Sequence, residues 1–316
     1  VHDLVHDVRW TGEELAREAR RRAGVLARFV GAGENLFVIA HANTPSFFAD
    51  LFAVWEAGGC AVCVNAGITA PELDNLTRFV GARAVLVDGE GVATGAAPVV
   101  CTARENAPGD GAGPVTGGLD DPALLLFTSG TTGDPKGVLH GHRSIQARLA
   151  LNQAHIGAGP LASALCVLPT HFGHGLIGNC LTPLLTGGDL FLMHGAGVAG
   201  AARLGEVLTE HRIRFMSSVP AFWKLALRLS APPVEPSLER VHIGSAPLSA
   251  ELWQGVVDWS GTRDVVNMIL ALVVLFIAAR GFLPERVTDP IKRAAWRRRE
   301  GVKTDDVVGE LDGEGA

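Results

Sequence analysis

Between residues 13 and 29, apolar side chains recur at Leu15, Ala19, Ala23, Leu26 and Ala27 among arginines and glutamates. That spacing of three to four predicts a helix with one apolar face. Residues 36–40 are an unbroken apolar run of strand length, 45–57 predict a helix closed by Gly58 and Gly59, and 60–64 predict the next strand. A helix over 71–80 and a strand over 84–87 continue the alternation. Strands alternating with helices of roughly ten residues predict βαβ units and a mainly parallel sheet. Residues 106–118 are rich in Gly and Pro and read as a surface loop. They lead through Asp120, Asp121 and Pro122 into 123–127, an apolar run that reads as a buried strand.

The rhythm resumes beyond residue 138. Helices are predicted over 144–155, 176–185, 200–211 and 221–229, alternating with strands over 164–168, 189–193 and 214–219. Residues 240–248 predict a strand that breaks into a loop, with Ser249 as N-cap of a further helix. There is no internal repeat. Residues 265–279 are then apolar apart from Asn267, closed by Arg280 and followed by Lys292, Arg293, Arg297, Arg298 and Arg299. As a helix the run would measure about 22 Å, short of the ~30 Å of a bilayer core. It therefore predicts a buried helix, or a sequence altered by truncation or a change of reading frame, ahead of a membrane anchor. Residues 305–316 are acidic and glycine-rich, the composition of a frayed tail. The expected division is a body over 1–264 and a divergent segment over 265–316.

With 316 residues, 47% apolar and 19% charged, the chain suits a compact α/β enzyme and not a disordered one. A formal charge of −6 argues against a nucleic-acid partner. Five scattered cysteines fit a reducing cytoplasm. Cys60 and Cys63 form a CxxC inside a predicted strand, where an offset of three turns the side chains to opposite faces. That argues against a metal or redox pair. The sequence begins at Val1 without an apolar signal segment, so neither a signal peptide nor a complete N-terminus is expected.

The chemistry begins where the apolar run 123–127 stops. Thr128, Ser129, Thr131 and Thr132 supply four hydroxyls, Gly130 and Gly133 stand among them, and Lys136 and Gly137 follow Asp134 and Pro135. Glycines let backbone N–H groups face a ligand without a Cβ between. The hydroxyls add donors and Lys136 adds a mobile positive charge, a combination suited to a polyphosphate. The Walker pattern is excluded, because Gly130 precedes Gly133 by three and Gly137 stands where Ser or Thr is required.

The ten residues 128–137 resemble the phosphate-binding loop of the adenylate-forming superfamily of acyl-CoA synthetases, peptide-synthetase adenylation domains and luciferases. The resemblance implies a large N-terminal domain of layered αβαβα subdomains with mainly parallel sheets. It implies that Thr128, Ser129, Gly130, Thr131, Thr132, Gly133 and Lys136 hold the β- and γ-phosphates of ATP. Gly244, Ser245, Ala246 and Pro247, in the right place downstream, resemble the loop that lies against adenine. The family's Pro-x-x-His segment lines the carboxylate pocket, and His171 is assigned to that histidine. His174 reads as a solvated loop residue, and no carboxylate or cysteine joins the two histidines to make a metal site. Residues 217–223 resemble the strand-to-helix segment beside the acyl pocket. Residues 140–142 read as a turn into the following helix.

The resemblance covers roughly residues 13–268. The family's Asn-x-Tyr-Gly-x-Thr-Glu motif is due near Asn267, but the chain has no tyrosine, and 269–279 are wholly apolar. The ribose-binding aspartate motif, the hinge and the lid lysine have no counterpart either, so no C-terminal lid is expected. The implied function is ATP-dependent activation of a small-molecule carboxylate as acyl-adenylate, then transfer to CoA, with Mg²⁺ assisting. The missing motifs predict impaired catalysis in this chain, with Lys136 and His171 as the residues left to act. The alternatives are a non-catalytic nucleotide-binding remnant and a membrane-tethered scaffold. A cytoplasmic setting is expected, membrane association is not, and the acyl group and oligomeric state stay open.

Overall fold

The computed structural model describes residues 1–89, 94–106, 117–128, 136–193 and 197–268. The phosphate-loop residues 129–135, most of the expected surface loop and the apolar run 269–279 lie outside that set. The chain divides into two compact units, Val1–Asn267 and Met268–Ala316, and every strand among the described residues lies in the first.

In chain order the described strands are β1 (His2–Asp3), β2 (Val8–Arg9), β3 (Leu36–Ile39), β4 (Cys60–Cys63), β5 (Ala84–Leu86), β6 (Val99–Val100) and β7 (Pro122–Thr128). They continue with β8 (Lys136–Gly141), β9 (Ser163–Cys166), β10 (Asp189–Leu192), β11 (Phe215–Ser218), β12 (Arg240–Ile243) and β13 (Val265–Asn267). Two sheets result. One runs β6-β5-β3-β4-β7-β8, the other β13-β12-β11-β9-β10-β1-β2. Every pairing is parallel except β7 with β8 and β1 with β2. This is the layered, mainly parallel α/β architecture expected from the alternation.

The apolar runs are unbroken because the first sheet is covered on both faces. Phe37 and Ile39 of β3 join one core cluster, and Val38 between them joins another with Val62, Val85 and Leu73. The larger cluster links the two sheets. It gathers Ile39, Leu86 and Leu124 with Leu165, Met216 and Val241, and takes in Phe47, Phe48 and Leu51 of the helix Pro45–Glu56. That helix is apolar nearly all round, as a helix enclosed by other elements must be. Trp55 Nε1 donates to the Ala123 carbonyl at 2.7 Å and so ties the helix to β7.

The helix Gly12–Leu26 begins in a capping box, with Thr11 and Glu14 each bonding the other's backbone N–H. Its Arg22 is buried and donates to Asp50 Oδ1 at 3.0 Å, while His41 Nε2 stands 2.7 Å from Asp50 Oδ2. Thr102 donates to the same carboxylate. Burial alone would push the Asp50 carboxyl up; the hydrogen bonds and charges of His41 and Arg22, with the Thr102 hydroxyl, outweigh it and hold the group below its usual range.

Several expectations need correction. Of residues 140–142, expected as a turn into the next helix, His140 and Gly141 end a strand and His142 opens the helix: β8 pairs with β7 from Thr128↔Lys136 to Pro122↔Gly141. Residues 265–267 are a strand paired with β12, so the apolar run does not begin as a helix. The helix expected over 200–211 is split at Arg203 into Val198–Ala202 and Leu204–Glu210. The helix expected over 176–185 is a π-helical turn, His174–Leu181, continued by Thr182–Leu185. Burial pushes the Cys60 thiol up to about 12 and Cys63 higher still. Neither forms thiolate near neutrality.

Candidate active site

Neighbouring parallel strands end at the same edge of a sheet, and the loops that leave those ends converge there. β9, β11 and β12 are neighbours in the seven-stranded sheet. They feed the segments 168–175, 217–220 and 244–248. Three motifs lying up to 80 positions apart in sequence are thereby gathered at one edge.

The segment 168–175 is held from both sides. Asn43, which follows β3 of the other sheet, is buried and adopts φ +51°. Its Nδ2 donates to the Leu168 carbonyl at 2.8 Å, and its Oδ1 accepts from the Thr170 N–H at 3.2 Å. Gly175 packs on the same segment so closely that an added Cβ would stand 2.3 Å from the Pro169 carbonyl oxygen. The π-helical turn starts at this point, a distortion often found at functional sites. A Cβ on Gly173 would lie 3.4 Å from Leu126 Cδ1, so the segment also runs beside the strand that leads to the phosphate loop.

His174 joins the three loops. Its Nε2 lies 2.6 Å from Ser217 Oγ and its Nδ1 2.8 Å from Ser245 Oγ. The expectation of a solvated loop residue is overturned, since the ring is half-buried and both nitrogens are engaged. Ser217 is itself placed by Asn179, whose Oδ1 accepts from Ser217 N–H at 3.1 Å and whose Nδ2 donates to the Leu165 carbonyl at 2.9 Å. Ser245 has φ +64°, a left-handed conformation uncommon for a residue with a side chain. Next to it, the Gly244 N–H donates to the Ser218 carbonyl at 3.0 Å.

His171 is half-buried, tilted against Phe172 with ring centroids 4.2 Å apart, and its buried Nδ1 has no partner. Desolvation lowers the pKa of both His171 and His174, which favours neutral rings. The segment reads Pro169-Thr170-His171, one residue short of Pro-x-x-His, and the third residue after the proline is Phe172. His171 therefore fits the motif by type and not by spacing. His242, inside β12 behind the loop, is pushed down to about 3, chiefly by burial, then by Arg240.

The structure brings His171, Gly244, Ser245, Ala246 and Pro247 to one sheet edge. Of the phosphate loop it describes the backbone ends, Thr128 and Lys136, which pair across β7 and β8. Ser129, Gly130, Thr131, Thr132 and Gly133 lie outside the described residues. A separate cavity of about 350 Å³, lined by Glu34, Asn35 and Asp121 among others, opens at the starts of β3, β4 and β7, the other end of those strands. Its carboxylates do not suit a phosphate. Asn43 and Asn179 escaped the sequence reading, and His174 was given no role there. The one available signal was the pair of histidines three apart, since the asparagines act through partners distant in the chain.

The profile of the family described as AMP-binding enzyme matches residues 1–269. Feruloyl-CoA synthases of Amycolatopsis sp and Streptomyces sp are each 29% identical over 267 residues, which is 78% of this chain and 52% of the relative. Tyrocidine synthase 3 of Brevibacillus parabrevis is 29% identical over 258 residues, 77% of this chain and 4% of that protein. The chain spans about half the length of the feruloyl-CoA synthases. Among solved structures, the inhibitor-bound N-terminal domain of FACL13 from Mycobacterium tuberculosis has a TM-score of 0.70 at 22% identity, over 83% of this chain and 69% of that one. Apo MatB from Rhodopseudomonas palustris has a TM-score of 0.68 at 20% identity, over 84% and 55%. At such identities the solved structures establish the fold.

Proposed function

The chain belongs to the AMP-binding enzyme family, and on that premise we propose that it binds ATP and a carboxylic acid in order to form an acyl-adenylate. A carboxylate oxygen would attack the α-phosphorus of ATP, the P–O bond to the bridging oxygen would break, and pyrophosphate would leave. Attack of the CoA thiolate on the acyl carbon would then expel AMP. The nucleophile is already an anion, so the protein's task is alignment and charge neutralisation. In this reading residues 128–133 and Lys136 hold the phosphates, residues 244–247 face the adenine, and His171 borders the acid. The observation that carries it is convergence: the loops after β9, β11 and β12 meet at His174, and the first of them runs beside Leu126, two residues before Thr128.

No group of three or more His, Cys, Asp or Glu among the described residues is placed to hold a metal; a Mg²⁺ bound with ATP would need only one or two protein carboxylates beside the phosphates. Residues 269–279 contain no carboxylate where the family motif would supply one. This favours a second reading, a polypeptide that binds nucleotide but turns it over slowly. No helix among the described residues is long and apolar enough to cross a bilayer, and the apolar run 269–279 lies outside them.

Calorimetry with ATP and AMP tests the binding reading. ATP is expected to bind more tightly than AMP, and Lys136→Ala to remove most of the difference, because charge-assisted hydrogen bonds to phosphate are lost. Equal affinity for ATP and AMP in the unmutated chain would sink the assignment.

A further inference from the structure

We propose that His174 is the positioning residue of the nucleotide loop: its imidazole pins Ser245 in the left-handed conformation and so sets how residues 244–247 meet the adenine. The inference rests on the reading of that loop as the adenine site.

A serine at φ +64° does not hold that conformation by its own preference. Backbone of this kind persists where its surroundings over-determine it. The surroundings here are specific. Gly244 is fastened to β11 through the Ser218 carbonyl, and Ser245 Oγ is fastened to His174 Nδ1 at 2.8 Å. Two successive residues are thus tied to two different elements, and the turn between them is determined.

The imidazole can act as an anchor because it is anchored itself. Its Nε2 meets Ser217 Oγ at 2.6 Å, Ser217 N–H is held by Asn179, and Asn179 Nδ2 reaches the Leu165 carbonyl of β9. Gly175 locks the root of the side chain, because its contact with the Pro169 carbonyl leaves no room for the turn to slide. A neutral imidazole carries one donor and one acceptor, and a serine hydroxyl can answer either. Burial favours that neutral form. A ring serving only to fill space would need neither serine.

Adenine and phosphate probes separate this role from a general one. Binding of ATP, AMP and inorganic pyrophosphate is measured by calorimetry on the full chain, alongside urea unfolding. His174→Phe keeps the ring and loses both hydrogen bonds. It is expected to weaken ATP and AMP by the same factor, about tenfold, and to leave pyrophosphate unchanged. His174→Gln, which retains a donor and an acceptor, should recover most of the loss. Ser245→Ala should reproduce it and add nothing in the His174→Phe background. AMP affinity within twofold of the unmutated chain in both His174→Phe and Ser245→Ala would overturn the proposal, as would an equal loss for pyrophosphate. Should His174→Phe not fold, His174→Gln and Ser245→Ala carry the comparison. Failure of the unmutated chain to bind AMP would instead reject the adenine reading beneath it.

Discussion

Asn43 and Thr170, 127 positions apart, are joined head to tail: Asn43 Oδ1 accepts from the Thr170 N–H at 3.2 Å, and the Asn43 N–H donates to Thr170 Oγ1 at 3.3 Å. The same side chain caps the Leu168 carbonyl. One residue from the loop after β3 of the six-stranded sheet thereby fixes the segment that leaves β9 of the seven-stranded one. Backbone groups in a buried loop need such partners, since each left unpaired costs about 1–3 kcal/mol.

Asn43→Ala is expected to destabilise the chain by about 3 kcal/mol, with two backbone groups stranded and an alanine held at positive φ. Asn43→Gly strands the same groups without the backbone strain and should cost about 1 kcal/mol less. Urea midpoints of the two variants check the order. A smaller loss for alanine than for glycine would show that φ +51° is not imposed on this position.

Asp50 is buried between Arg22 and His41. Asp50→Ala should cost about 3 kcal/mol, because Arg22 keeps its charge in a buried site with only the half-buried Glu18, at 3.4 Å, left to answer it. The folded carboxyl titrates below its unfolded value. Its contribution is therefore complete above the unfolded pKa of about 3.9 and fades as pH falls toward the folded one. Acid titration of stability should show this loss below about pH 4 in the unmutated chain and a shallower one in Asp50→Asn.

His242 acts in the opposite chemical sense but over a higher range. Burial first, then Arg240, pushes it from 6.5 to about 3, so between those values the unfolded chain binds a proton that the folded chain refuses. Stability consequently falls as pH drops from 6.5 toward 3. At about pH 5 the loss through this group is roughly 2 kcal/mol. The ring packs edge-on against Phe215 at 5.1 Å and its Nε2 is unpartnered, so His242→Phe removes the titration without stranding a hydrogen bond. Urea unfolding of the two proteins at about pH 7 and pH 5 should show a flatter dependence in the variant; parallel curves would place the titration elsewhere.

Gly175→Ala should disturb the site more than a methyl group normally would. The added Cβ would meet the Pro169 carbonyl oxygen at 2.3 Å, so backbone has to move. A loss of about 1–3 kcal/mol is expected, together with weakened AMP binding, because His174 and its two serines depend on that turn.

Catalysis by this polypeptide is expected to be near background. Loss of one well-placed electrostatic donor costs about 3–4 kcal/mol of transition-state stabilisation, a hundred- to thousandfold in rate. Residues 269–279 lack both the Thr and the Glu of the family motif. Pyrophosphate release over a panel of carboxylic acids with ATP and Mg²⁺ decides the matter. Turnover at ordinary ligase rates would mean that other residues supply those groups.

Much of the architecture was legible in local pattern. Parallel strands enclosed on both faces read as unbroken apolar runs, and this disclosed β3, β4, β5, β7, β9 and β10, while β11 and β12, interrupted by Ser217, Ser218 and His242, stood out by their place in the alternation. Gly58 with Gly59, and Ser249, marked helix ends, because a cap depends on residues within one turn. The expectation of a phosphate site over 128–137 rests on residue type, and residues 129–135 lie outside the described residues. Strands of two residues, β1, β2 and β6, are too short to show any period. β8 escaped because it is an edge strand of glycine, histidine and exposed Val138 and Leu139, without the alternation of a half-buried strand. Residues 265–267 were misread because a short apolar run fits strand or helix equally, and the pairing with β12 decides between them.

The composition of the candidate site was a property of the sequence; its assembly was not. Residue types at 128–137, 168–175 and 244–248 are one-dimensional facts, and a loop's chemistry can be read from them. Which side chain holds which loop depends on strand order. β9, β11 and β12 became neighbours only when the sheet was laid down. That placement turned His174 from an apparently free loop histidine into the link between Ser217 and Ser245, 43 and 71 positions away. Contacts over such separations leave no periodic trace in a single chain, because the packing of other elements between them decides whether they form.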